Sequence, residues 1–221
     1  MARTSNKPAP DGYVRAWKLM QADEWAKLPE EGTLVGRDFP HNSRFDHTIY
    51  GVIIGFFTRQ IANRTSGSGT HWPWTYDFSK PDLRVMRAHF DNGPLVRIEL
   101  FVPVDQAMIH LHFPWNNVMM SYHRSIMDET DENEPALRAW HDELVANGVG
   151  PQPDTFGYPY PEPYQSRLEA GWERIFDFDM STTDPRDLSV SFERLDMANV
   201  VSVQEFAEWG PGWNGAGNSL S

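Results

Sequence analysis

The chain has 221 residues, 40% hydrophobic and 13% aromatic, a composition that excludes wholesale disorder and predicts an aromatic-rich core. It has no cysteine, which excludes disulfides, thiolate metal sites and a cysteine nucleophile and fits a reducing compartment. The formal net charge of -12 opposes non-specific binding to nucleic acid, whose affinity comes largely from neutralising phosphates, so a protein partner is favoured over a nucleic acid.

Residues 1–12 read as a flexible arm without the apolar core of a signal peptide, and no apolar run is long enough to span a bilayer. The expectation is a soluble cytoplasmic protein with no membrane partner. Residues 13–18 form a first strand, and 22–28 a short helix with Asp23 and Glu24 in its positive first turn and Pro29 at its end. Residues 33–35 form a second short strand. The clearest helix spans 48–63, where Ile49, Val52, Ile53, Phe56, Phe57 and Ile61 make one apolar stripe and Asp46 caps the start. The following SGSGT run at 66–70 lacks the lysine of a phosphate-binding loop and follows a helix rather than a strand, so it reads as a flexible loop.

A β-rich middle follows. Segments 84–90 and 95–102 flank the turn signal Asp91-Asn92-Gly93-Pro94 and predict a hairpin, and 107–113 alternates as a third strand. A helix over 135–146 carries the stripe Leu137, Trp140, Leu144 and Val145 and stops before Gly148. The Pro-rich stretch 148–163 reads as a surface loop. The run SRLEAGWERIFDFD at 166–179 has capping-box spacing between Ser166 and Glu169 and turns Trp172, Ile175 and Phe176 inward. Strands over 188–195 and 200–203 close the fold, and 208–221 is a Gly/Asn/Ser tail. The order predicts one α+β domain over 13–207, with a mixed or antiparallel sheet and several amphipathic helices.

Four groups of residues are candidates for chemistry. His110 and His112 alternate on one strand and share a face; with His89 or His123 and an acid they form a metal candidate, but no third ligand is identified and no metal is expected. Trp72, Trp74 and Tyr76 beside the Gly-rich loop either pack the core or stack on a planar ring. Glu193 alternates with Ser189 and Ser191, opposite the apolar Leu188, Val190 and Phe192; it is either an exposed edge residue or a carboxylate that orients a ribose hydroxyl. The DETDENE run at 128–134 is either a solvated loop or an acidic docking surface for a basic partner. No serine sits in a nucleophile elbow.

Several blocks together resemble a prokaryotic and phage family known as a domain of unknown function. They are Val14-Arg15-Ala16-Trp17 with Trp25, Leu28 and Gly32, then Trp72-Pro73-Trp74, Pro81-Asp82-Leu83-Arg84, Val102-Pro103 and Trp115. The most specific is Gly171-Trp172-Glu173-Arg174-Ile175-Phe176-Asp177, followed by the strand that reaches Glu193. The chain departs from that family's pattern at Lys18, where threonine is expected, and at Ser189, where glutamine is expected. The order of elements is also similar to ADP-ribosyltransferase folds. That resemblance implies an NAD-binding enzyme modifying a macromolecular target, with NAD as co-substrate. By it, Arg15 or Trp17 lines the NAD site, Trp72, Trp74 or Tyr76 stacks on the nicotinamide, Ser191 assists and Glu193 is the catalytic acid. The alternative is a non-catalytic acidic interaction or inhibitor protein of phage or mobile-element origin.

Overall fold

The computed structural model of the chain describes residues 9–27, 32–38, 49–82, 94–112, 134–149 and 159–206. Its centre is strand β1 (Tyr13–Gln21), longer than predicted because Ala16 and Met20 continue one apolar row to its end. Around it, β5 (Trp74–Asp77), β6 (Leu95–Pro103), β7 (Met108–Leu111), β8 (Leu188–Phe192) and β10 (Val200–Phe206) complete a six-stranded sheet in the order β10-β6-β1-β5-β8-β7. Every pairing is antiparallel. The predicted partner of β6, at 84–90, lies outside the described residues; β6 itself pairs with β1 and β10.

The register sets which side chains share a face. Ser202, Glu99, Trp17, Asp77, Ser189 and His110 are successive cross-strand partners, so they form one row across all six strands. The opposite face carries Ala16, Met20, Tyr76, Ile98, Val190 and Phe192, which pack on Leu34 and Leu195. Those last two come from a two-stranded sheet of β2 (Thr33–Val35) and β9 (Arg194–Asp196). A further small pair joins β3 (Arg37–Asp38) to β4 (His71–Trp72).

Among the described residues, four α-helices accompany the sheets: α1 (Ala22–Trp25), α2 (Ile49–Arg64), α3 (Glu134–Ala146) and α4 (Tyr164–Trp172). The predicted stripe of α2 holds from Val52 to Ile61. Ile53, Phe56, Phe57 and Ile61 are buried against Leu168, Trp172 and Ile175, with Trp172 edge-on to Phe56 at 5.3 Å between ring centres. The α2 layer lies on the sheet face that carries Met108 and His110, since Phe57 meets the His110 ring at 5.3 Å.

Two sequence expectations are corrected here. The capping box of Ser166 and Glu169 does not form: α4 starts at Tyr164, after Pro163, and makes no side-chain cap. Glu169 instead accepts from Arg59 and Gln165, tying α4 to α2 and to its own first turn. The predicted strand over 188–195 is two strands in two sheets, β8 and β9, separated by a bend at Glu193. The break is where Glu193 turns its carbonyl to the Gly36 N–H, at 2.8 Å, and its carboxylate into the Gly-rich loop.

Candidate functional site

Glu193 is 5% exposed, so it is not the outward edge residue its alternation with Ser189 and Ser191 implies. Its Oε2 accepts from the backbone N–H groups of Ser68, at 2.6 Å, and Gly69, at 3.0 Å. Its Oε1 accepts from the N–H groups of Thr70, at 2.7 Å, and His71, at 2.8 Å, and from the Ser68 and Thr70 hydroxyls. Four consecutive amides thus converge on one anion, a nest closed by a side chain of the same chain. Burial alone would raise the Glu193 pKa. The donors from His71, Ser68, Thr70 and Gly69 outweigh it and hold the carboxyl at about 2. The loop read as flexible is therefore pinned. Glycine is needed at 69, where φ is +70° and an added Cβ would lie 2.5 Å from the Thr58 carbonyl oxygen. Glu193 also borders a cleft of about 480 Å³ lined by Thr33, Ser66, His71, Gln106 and Arg194.

The polar face of the sheet is the second assembly. At its β7–β8 end the His110 Nε2 is 3.0 Å from the Ser191 hydroxyl, which is 2.8 Å from that of Thr75, and His112 Nδ1 is 2.7 Å from the Ser189 hydroxyl. Ser189, Ser191 and His110 are wholly buried. Burial, chiefly, lowers the His110 pKa to about 4, so the ring is neutral at physiological pH. At the β1–β6 end, Arg15 Nε lies 3.2 Å from Glu99, Ser202 donates to Glu99, and Lys80 stands 5.3 Å from the centre of the Trp17 ring. Burial first, then the charge of Arg97, lowers the Lys80 pKa; the Arg97 pKa is also lowered by burial. Two cations are close enough to repel each other there.

The sequence-predicted residues do not converge on one cleft. Arg15, Trp17, Ser191, His110 and His112 lie on the polar face. Tyr76 is on the opposite face, buried 5.1 Å from Phe192. Trp74 packs with it and donates its indole N–H to the Val35 carbonyl at 2.8 Å, so it belongs to the core. Trp72 sits in β4 beside the Glu193 loop. His89, His123 and the 128–133 part of the acidic run lie outside the described residues. Among the described residues, no three His, Asp or Glu side chains are placed to hold a metal ion. Asp77, Lys80 and Glu99 were not singled out from the sequence. The alternation of Arg97 and Glu99 within β6, in register with Leu19 and Trp17 of β1, is the signal that marks them.

The neutral burial of His110 has a consequence for pH dependence. Its folded pKa of about 4 lies below the ordinary 6.5, so the unfolded chain binds the extra proton between these values. The stabilisation is fully present above pH 6.5 and falls by about 3 kcal/mol as pH drops towards 4. Urea unfolding at pH 7 and pH 4.5 measures it. His110→Phe should flatten that interval, and an unchanged slope would contradict the assignment.

No family model, no curated protein and no solved structure matches this chain. No helix among the described residues is long and apolar enough to cross a membrane.

Proposed function

We propose that the chain binds NAD at the β1–β6 end of the polar sheet face and transfers ADP-ribose to a protein target. One observation carries this reading. Arg15, Arg97 and Lys80 lie around Trp17 and outnumber its two cross-strand carboxylates, Glu99 and Asp77, in a chain whose net charge is -12. A local cationic cluster against an acidic background selects an anionic ligand, and the indole adds a surface for a planar ring. Two of the residues, Arg15 and Trp17, are those the transferase resemblance assigns to NAD.

In this reading the diphosphate relieves the repulsion between Lys80 and Arg97. Lys80 is the exposed member, and its movement off the indole admits the ring. Glu99, paired with Arg15 and in register with Trp17, is the carboxylate that holds the ribose hydroxyl. The bond from ribose C1′ to nicotinamide breaks and its electron pair leaves with nicotinamide. A nucleophile of the target then bonds to C1′ and releases its proton. Glu193, whose oxygens are already occupied by loop donors, shapes the fold and not the reaction.

The test is NAD added to the purified chain and to Lys80→Glu, an exposed change that leaves the core intact. Wild type should show a thermal shift and release nicotinamide in the presence of lysate protein. Lys80→Glu should weaken the shift by roughly tenfold in NAD concentration, about 1.4 kcal/mol. A wild type that neither shifts nor releases nicotinamide removes the proposal.

A further inference from the structure

Among the described residues, the stretch Val200–Glu205 of the outermost strand β10 hydrogen-bonds to β6 alone and has no strand on its other side, while the opposite edge strand β7 has Met108 and His110 buried under the helix layer. The seven residues of β10, VVSVQEF, contain neither proline nor lysine to blunt the edge, and the register shift between Val200 and Ser202 leaves Ser202–Phe206 as the regular part of the strand. Val201 and Val203 are 43% and 38% exposed, in a sheet whose other valines are mostly covered. One end of the strand is acidic. Glu205 is exposed, and Phe206 pairs with Leu95 beside Pro94, whose carbonyl accepts the first N–H of α1, the helix that carries Asp23 and Glu24.

We infer that β10 is a docking edge that takes an extended, basic segment of another protein as a seventh strand of the sheet. Main-chain hydrogen bonds to β10 supply the affinity, and alternate side chains supply the choice of partner. Apolar residues of the segment cover Val201 and Val203, and its basic residues meet Glu205 with Asp23 and Glu24. A second copy of this chain is the poorer occupant, because it brings another net charge of -12 to the same edge. The inference does not rest on NAD binding: it concerns the outer side of β10, whereas the inner side touches the proposed NAD site through Ser202 on Glu99 and Gln204 on Arg97.

The probe is a short fluorescent peptide of alternating valine and lysine, read by anisotropy against the full chain at low salt. A peptide with glutamate for lysine and one N-methylated on alternate amides are its controls. The lysine peptide should bind roughly tenfold or more tighter than the glutamate peptide, and N-methylation should abolish binding. Val203→Lys and Glu205→Lys, both at exposed positions and checked for unchanged circular dichroism, should each weaken it by a similar factor. No binding, equal binding of the two peptides, or indifference to N-methylation overturns the inference. So does a wild-type dimer in sedimentation that dissociates in Val203→Lys, which would make a second copy the occupant.

Discussion

Glu193→Gln should destabilise the fold by about 3–5 kcal/mol, because it removes a buried charge from four converging amides and turns an NH2 donor towards them. Denaturant unfolding measures the loss, and amide exchange should show protection of Ser68 to His71 disappearing with it. Glu193→Ala vacates the same nest, so added formate should restore part of the lost stability, whereas chloride at equal ionic strength should not. The pH dependence has a definite sign. A carboxyl held at about 2 in the fold and near 4.5 when unfolded contributes its stability above pH 4.5 and loses it as pH falls towards 2. The Gln variant should lack that acid limb. A variant as stable as wild type would mean that the loop does not depend on the carboxylate.

Gly36→Ala should be more severe. An added Cβ would stand 2.0 Å from the Trp72 carbonyl oxygen, and the contact is with backbone, which cannot rotate aside. Neither strand is free to shift. Gly36 donates to the Glu193 carbonyl, and its neighbour Arg37 pairs with Trp72. The expected result is a loss of about 4 kcal/mol or more, or no cooperative fold at all. Gly55→Ala is the internal comparison. Its Cβ would meet only the end of the Arg59 side chain, at 3.4 Å, and alanine favours the helix by up to about 1 kcal/mol. Thermal unfolding of the two variants should therefore move in opposite directions. Equal and small shifts would show that β2 and β3 are not held against β4 as tightly as the backbone geometry requires.

The two substitutions act on one knot. The segment β2–Gly36–β3 crosses between β9 and β4, while the loop from Ser66 to His71 closes on the Glu193 side chain. This knot was the part least legible in the sequence. The alternation Leu188 to Phe192 correctly marks a strand, but continuing the period to Glu193 places a carboxylate outside that in fact turns inside. Period alone does not say where a strand changes sheet. The helix stripe of α2 was legible because Ile53, Phe56, Phe57 and Ile61 repeat on one face over successive turns, and tertiary packing agrees with that repeat. The Ser166 box was misleading: local spacing permits the cap, but Glu169 gains a better partner in Arg59 across the α2–α4 contact. The acid assigned to catalysis and the cations proposed to bind the ligand proved to be separated by the same rule of alternation. Glu193 left the sheet, whereas Arg15, Trp17, Arg97 and Glu99 stayed on one face of it.

The central claim is that ligand binding belongs to the Trp17 face and not to the Glu193 loop. Fluorine NMR of the chain labelled with 5-fluorotryptophan tests it most directly, with each signal assigned by its Trp→Phe variant. Titration with NAD should shift the Trp17 resonance and leave those of Trp72 and Trp74 in place. Shifts at Trp72 with Trp17 unmoved would contradict the account and move the site to the cleft beside Glu193.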